Sequence, residues 1–379
     1  MAEAHATIEP PRRLLMGPGP SPVEPRVYDA MTKPVVGHLD PFFFQVMEEV
    51  RAGLAYVFGT KNEFNLAISG TGSAGMETAV SNFVEPGMKF AIFANGYFCD
   101  RQTEMGKRQG ATVVRLEKPW GETFCAEEVR EFIRREKPHV VAYVQAETST
   151  GAFQEGKAIC EAAHEAGAMV IADCVTSLGA MPVEVDATGI DIAYSCSQKG
   201  LSAPPGLAPI TVGPRAMEYL RSRKAPNRSW YLDLALLAEY YGNSHRYHHT
   251  APITMFYALR EALAIVKEEG LENRFARHRR NHLALVAGLE AMGMRMHVAE
   301  EHRLWSLNTP RLPDGIIDTK VRKRMLDEDG IEILGGFGPL AGKILRIGLM
   351  GAGSTQENVQ AVLGALKKSL RGEGYTPPA

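Results

Sequence analysis

Lys199 is the residue whose type and setting first suggest chemistry. It stands alone in an uncharged stretch between Asp191 and Arg215, within Tyr194-Ser195-Cys196-Ser197-Gln198-Lys199-Gly200. A solvated lysine usually keeps other charges nearby. An amine held just past a buried strand can have its pKa lowered, which makes it a candidate Schiff-base nucleophile. The plain alternative is a lysine snorkelling out of a loop. A second candidate is Ser69-Gly70-Thr71-Gly72-Ser73-Ala74-Gly75, a glycine-rich turn between an apolar run and a helical pattern. Free N–H groups and the helix dipole there would point at an anion. Read as Gly70-x-Gly72-x-x-Gly75 it is also a dinucleotide fingerprint. However, the next strand ends in Asn95 instead of an acid for a ribose hydroxyl, so a mononucleotide-sized phosphate fits better. Asp173 closes another apolar run and could pair with a cation. Phe98, after Asn95-Gly96-Tyr97, could stack on a flat ring. Each has a structural alternative: Asp173 as a helix N-cap, Phe98 as core.

The elements that would position these residues alternate in type. Strands are expected at 65–68, 89–94, 112–116, 140–145, 168–173, 192–195 and 209–212, with helices near 98–109, 126–135 and 155–165. Strand–helix alternation means an α/β fold with a parallel sheet covered on both faces, and ligands at the carboxyl ends of its strands. Ser69–Gly72, Asn95–Phe98, Glu147–Gly151, Asp173 and Ser197–Lys199 all fall at such ends. Ahead of them a helix is expected from Asp40-Pro41, with a stripe of Phe44, Val46, Met47, Val50, Leu54 and Val57. After Tyr231 the texture changes to the aromatic, polar run 240–250. Two long helices near 253–270 and 277–292 follow. A smaller α+β unit comes last, with strands at 295–298, 304–308, 331–334 and 345–348 and a helix over 356–370. The spacing divides the chain into an arm (1–22), a large domain (23–265) and a small C-terminal domain (266–379).

The converging residues meet the needs of one cofactor, pyridoxal 5′-phosphate. A lysine can condense with its aldehyde, a helix start can hold its phosphate, and an acid can keep its pyridine nitrogen protonated.

Composition narrows the classes. In 379 residues the net charge is −2, with 45% hydrophobic and 23% charged residues, which does not suit a general nucleic-acid binder. The run Arg274 to Arg280, closely preceded by Glu268, Glu269 and Glu272, reads as a solvated helix face. Five scattered cysteines without Cys-x-x-Cys argue against a disulfide framework or structural zinc and fit a reducing compartment. No apolar run approaches the roughly 20 residues of a membrane span, and a cytoplasmic location is expected. His245, His248 and His249 lack carboxylates or cysteines at ligand spacing, so no metal is expected.

The chain resembles the class V, fold-type I aminotransferases, and among them the alanine/serine–glyoxylate group. The resemblance runs from Leu15-Met16-Gly17-Pro18-Gly19-Pro20 to Arg346-Ile347-Gly348. It is carried by Ser69-Gly70-Thr71-Gly72, Ala94-Asn95-Gly96, Glu147-Thr148-Ser149-Thr150-Gly151, Asp173-Cys174-Val175-Thr176, Ser197-Gln198-Lys199, Tyr247-His248-His249-Thr250 and Gly335-Gly336. It implies a large domain with a mostly parallel seven-stranded sheet. It also implies Lys199 as the Schiff-base lysine and Asp173 as partner of the pyridine nitrogen. Val175 and Phe98 would flank the ring, with Phe98 standing where close relatives often carry tryptophan. Gly70, Thr71, Gly72 and Gln198 would hold the phosphate, with Ser149 near the ring hydroxyl. Arg346 would clamp the substrate carboxylate as a planar fork, with Gly19 and Ser149 beside it. Similar proteins are homodimers in which Tyr247 and Thr250 reach the neighbour's phosphate site.

The implied reaction is a ping-pong transamination from alanine or serine to glyoxylate, with pyruvate as a further acceptor. Alternatives on the same scaffold are 2-aminoethylphosphonate or ureidoglycine transamination, or a catalytically silent cofactor-binding dimer. A desulfurase would need a cysteine in the small domain, and all five lie before residue 200.

Overall fold

The computed structural model of the chain describes residues 8–242, 244–376 and 378. Seven strands form the central sheet, in the order Phe64–Ser69, Leu207–Val212, Ile192–Tyr194, Met169–Asp173, Val140–Val144, Lys89–Ala94 and Thr112–Glu117. Leu207–Val212 is antiparallel to both neighbours, and every other pairing is parallel. The exception has a local cause. Residues 195–206, between Ile192–Tyr194 and Leu207, contain no helix. A parallel return needs a crossover, so the chain turns straight back. Lys199 lies in that return.

Interior strands are buried throughout, as in Val140–Val144 and Met169–Asp173, because helices cover both faces. The Pro41–Phe58 helix shows how the sequence sets such an element. Asp40 accepts the Phe42 N–H at 2.8 Å, Pro41 occupies the first turn, and Gly59 closes the helix at φ 64°. Its face of Val46, Met47, Val50, Leu54 and Val57 is buried in the large core. Truncating Leu54 to alanine there would cost about 2–5 kcal/mol.

A second core gathers Met16, Leu285, Leu289, Val321, Met325, Leu345, Ile347, Val362 and Leu366. Leu14–Leu15 joins this unit by pairing in parallel with Ile331–Glu332. Leu345–Gly348 is the centre of its three-stranded sheet, between Leu307–Asn308 and Leu334–Gly335. The long helices Ile253–Glu269 and Leu271–Ala291 meet at Gly270, whose φ of 78° allows the break. The first buries Leu259, Leu263 and Val266 in the large core, and the second sends Leu285 and Leu289 into the small one. Among the described residues no helix is long and apolar enough to cross a membrane.

The parallel strands all point one way, so Ser69, Ala94, Val144, Asp173 and Tyr194 end along one edge of the sheet. The functional residues are built on the loops leaving that edge.

Candidate active site

The Lys199 loop is held by its own small polar residues. Ser197 Oγ donates to the Pro204 carbonyl at 2.6 Å, and Ala203 N–H donates to Ser197 O at 3.0 Å. Ser21 crosses from the N-terminal segment. Its N–H donates to Gln198 O at 2.9 Å and its Oγ to Lys199 O at 2.7 Å. With its backbone fixed, Lys199 sends its amine toward Gly19, where any Cβ would overlap Nζ. Desolvation lowers this amine below the ordinary lysine value, so more of it is neutral and nucleophilic.

Asp173 ends the neighbouring strand and is paired in register with Tyr194. Its Oδ1 accepts the Val175 N–H at 2.9 Å and its Oδ2 the Tyr194 hydroxyl at 2.8 Å, while Gln102 Nε2 donates to that same hydroxyl at 3.1 Å. Burial pushes the carboxyl up to about 6. The two hydrogen bonds oppose that shift, as do Arg101 and Lys199. Such a carboxylate favours a cationic N–H as its next partner.

The Gly72–Phe83 helix starts beside it with Thr71 as an N-cap whose side chain makes no capping bond. Its first N–H groups are therefore left for a ligand. Gly72 keeps the helix start close to the loop, since a Cβ would press to 3.0 Å from Cys196 Cβ. Gln198 Oε1 is buried with no hydrogen-bond partner among the described residues. Arg101 donates to Ser73 Oγ at 3.2 Å and lies 5.0 Å from the Phe98 ring centroid. These groups surround a cavity of about 210 Å³ lined by Thr71, Gly72, Phe98, Asp173, Val175, Gln198 and Lys199, among others. An anion at the helix start, a flat ring between Phe98 and Val175, and an aldehyde at Lys199 match this donor set.

The far side is built on Glu147, which is fully buried. Its carboxylate accepts the Ser149 N–H at 2.9 Å, the Ser149 hydroxyl at 2.6 Å and the Phe98 N–H at 3.1 Å. Gly96 is glycine because a Cβ would run into that carboxylate. Burial pushes Glu147 up to about 7, against the Ser149 hydrogen bonds. Ser149 Oγ also accepts the Tyr97 N–H at 3.0 Å. Its proton is thus already given to Glu147, and it faces any ligand as an acceptor. Arg346 reaches in from the small unit. Its Nε donates to Gly335 O at 2.7 Å and its Nη1 to Thr148 O at 3.4 Å, and its guanidinium lies 4.4 Å over the Phe337 ring. Among the described residues no protein group accepts from Nη2. Burial lowers Arg346 to about 10, opposed by the charge of Glu147.

The structure therefore brings Thr71, Gly72, Phe98, Asp173, Val175, Gln198 and Lys199 to one cavity, with Gly19 against Lys199, Arg346 bonded to the lining Thr148, and Ser149 next in chain to Thr148. Gly70 shapes the turn by donating its N–H to Gly206 O at 2.9 Å. Tyr247 and Thr250 are exposed, and neither lines this chain's own cavity. His248 and His249 face each other through their Nδ1 atoms at 2.9 Å, and His249 Nε2 lies 2.7 Å from Ser69 Oγ. Sequence reasoning missed the roles of Tyr194, Gln102, Arg101, Ser73 and Glu147. For Tyr194 a signal existed, because strands in register set it beside Asp173. The arginine run is a solvated face only in part, because Arg274 turns inward. Arg274 is 3% exposed, and both Arg274 and Arg277 pair with Glu269.

Fold and site together define an aminotransferase of the α/β type. The chain belongs to the class V aminotransferases, matching that family over residues 15–362. It is 40% identical over 365 residues to alanine–glyoxylate aminotransferase of Mus musculus, covering 95% of this chain and 88% of the relative. It is 41% identical over 378 residues to (S)-ureidoglycine–glyoxylate transaminase of Bacillus subtilis (strain 168), covering 95% and 91%. The crystal structure of alanine–glyoxylate aminotransferase from Nostoc sp. superposes with a TM-score of 0.96 at 46% identity, over 97% of this chain and 98% of that one.

Proposed function

We propose that the protein uses pyridoxal 5′-phosphate to move an amino group from alanine or serine to glyoxylate, with pyruvate as a further acceptor. The observation that carries this reading is the meeting of Lys199, Asp173, the Gly72–Phe83 helix start and Arg346 around one cleft. The names of the relatives, two acting on alanine and glyoxylate and one on ureidoglycine and glyoxylate, support a small 2-oxo acid as acceptor. The buried, unpartnered Gln198 oxygen and the uncapped helix start fit a phosphate, and the raised Asp173 fits a cationic ring nitrogen.

When bound, the cofactor supplies a ring that withdraws electrons from the substrate's Cα. The rest falls to the chain's own residues. Lys199 holds the cofactor, then as a free amine carries the proton that leaves Cα. Asp173 keeps the ring nitrogen protonated, with Tyr194 and Val175 fixing the carboxylate. Phe98 and Val175 flank the ring. Thr71, Gly72 and Gln198 bind the phosphate, and Gly70 sets their turn. Arg346 takes the substrate carboxylate through its free Nη2 edge, with Gly19 leaving space beside Lys199 and Ser149 acting as an acceptor. The exposed Tyr247 and Thr250 suit a homodimer in which they complete the partner's phosphate site. The two cores support a division of the chain near residue 265, with Leu14–Met16 of the expected arm (1–22) packed into the smaller unit. Five unpaired cysteines suit a reducing compartment such as the cytoplasm.

A panel of amino donors (alanine, serine, ureidoglycine, 2-aminoethylphosphonate, glutamate and aspartate) against glyoxylate and pyruvate tests the reading. Alanine or serine with glyoxylate is expected to give the highest kcat/KM. Glutamate and aspartate should be poor, since Arg346 serves the α-carboxylate and the cavity's other arginine, Arg101, stands at the helix start beside Ser73, on the phosphate side. Efficient glutamate turnover would overturn the substrate assignment.

A further inference from the structure

Arg274 lies on the helix that joins the two cores, yet its guanidinium is spent on the loops of the cofactor cleft. Nε donates to the Gly179 carbonyl at 2.7 Å, Nη2 to the Gly200 carbonyl at 2.7 Å, and Nη1 to Glu269 Oε2 at 2.6 Å. Gly200 follows Lys199, and Gly179 closes the turn that leaves Asp173. The two backbones touch. A Cβ on Gly200 would overlap the Leu178 carbonyl, and one on Gly179, at φ 75°, would lie 3.1 Å from Gly200 O. Both carbonyls are buried and need donors. One planar fork meets both at once, with Glu269 balancing its charge.

The same cluster reaches the small unit. Arg277 shares Glu269 and donates to Gly351 O at 3.0 Å and Ser354 O at 2.6 Å. Arg277 donates to Glu269, Gly351 and Ser354 and gives no hydrogen bond to the Gly179 or Gly200 carbonyl, so it serves as the comparison for loss of a neighbouring arginine from the same cluster.

We propose that Arg274 is a positioning residue for the transamination, fixing the spacing between the Asp173 turn and the Lys199 loop so that amine and carboxylate address the same ring. The inference rests on the proposed function, because it presumes that both residues meet one cofactor. Neither residue is touched by Arg274 itself. It acts through the carbonyls of Gly179 and Gly200.

The test compares wild type, Arg274→Ala, Arg274→Lys and Arg277→Ala. Three things are measured: affinity of the cofactor-free protein for pyridoxal phosphate by fluorescence quenching, the pH midpoint of the visible band of the loaded protein, and kcat with KM. Losing two buried hydrogen bonds at the loops should lower kcat in Arg274→Ala about tenfold or more, weaken cofactor binding and move the midpoint. KM for the amino donor should change less than kcat. Added guanidinium should recover part of the loss, and Arg274→Lys should fall between the two. Arg277→Ala should melt at lower temperature, with midpoint and kcat moved less than in Arg274→Ala. An Arg274→Ala protein with wild-type midpoint and kcat overturns the positioning role, as does an Arg277→Ala protein that shifts both equally. If Arg274→Ala does not fold, Arg274→Lys carries the test, and an unmoved midpoint there overturns the role. A wild-type protein with no visible band overturns the functional reading itself.

Discussion

Tyr194 gives its hydroxyl proton to Asp173 Oδ2 across 2.8 Å, and Gln102 fixes the direction by donating to the same oxygen of Tyr194. All three residues are buried. A hydrogen bond to a charged group is worth about 1.5–3 kcal/mol. Tyr194→Phe should therefore leave Asp173 harder to ionise and lower kcat/KM about tenfold or more. The sign follows from Asp173 acting as an anion: its pKa rises further, so the acid limb of the pH–rate profile moves to higher pH. A wild-type profile in Tyr194→Phe would remove this hydroxyl from the account.

Arg346 is 7% exposed and fixed on both flanks by the Gly335 and Thr148 carbonyls. Its remaining edge must orient a substrate that offers little besides a carboxylate. Arg346→Ala should cut kcat/KM for alanine by roughly one to two orders of magnitude, from the loss of a charge-assisted pair. Arg346→Lys should recover only part, because an ammonium cannot form the fork. Steady-state kinetics with alanine and glyoxylate decide it, and an unchanged kcat/KM in Arg346→Ala would return the residue to a purely structural role.

Tyr247 is 55% exposed and stands with its ring centroid 4.9 Å from that of His38, outside the chain's own cleft. If Tyr247 and Thr250 complete a partner's site, two inactive proteins should rescue each other. Mixing Lys199→Ala with a Tyr247→Ala/Thr250→Ala double variant is expected to restore activity through heterodimers that hold one intact site. A fully active monomer in sedimentation would exclude the shared arrangement.

His278 is held neutral. Its Nδ1–H donates to Arg274 O at 2.8 Å and its Nε2 accepts the Gly351 N–H at 3.0 Å, so a second ring proton would face a donor. Burial lowers its pKa from the ordinary 6.5 to about 3. Between those values the unfolded chain binds one more proton than the folded one. The stability from this group is complete above pH 6.5 and declines by about 1.4 kcal/mol per pH unit on acidification. In urea unfolding at a series of pH values below 6.5, His278→Gln should lose about 1.4 kcal/mol per pH unit less stability than wild type, since the other buried groups titrate alike in both. Equal slopes in the two proteins would contradict the neutral assignment.

The sheet was legible because its buried strands read as apolar runs ending in functional residues. Val140–Val144 before the Glu147 turn and Met169–Asp173 are instances. The reversed strand could be foreseen only from the helix-free return after Tyr194. Three consecutive phenylalanines hid the start of the Pro41–Phe58 stripe. Phe43 is the one fully buried, while Phe44 stacks on His245 and Phe42 is exposed. The strand expected over 295–298 is a single bridge between Met296 and Pro310. Arg274 and Glu147 escaped because charge spacing along a helix or turn says nothing about carbonyls and N–H groups brought there by distant segments. Their partners, Gly179 and Gly200 in one case and Phe98 in the other, become neighbours only through the fold.

The central claim is that Lys199 binds the cofactor covalently. Its most direct test is borohydride reduction of the pyridoxal phosphate-loaded protein, followed by peptide mass analysis. Loss of the visible band and a stable pyridoxyl phosphate adduct on Lys199 alone are expected, with Lys199→Ala folded, unlabelled and inactive. An adduct on another lysine, or a Lys199→Ala protein that keeps both the reducible band and turnover, would contradict it.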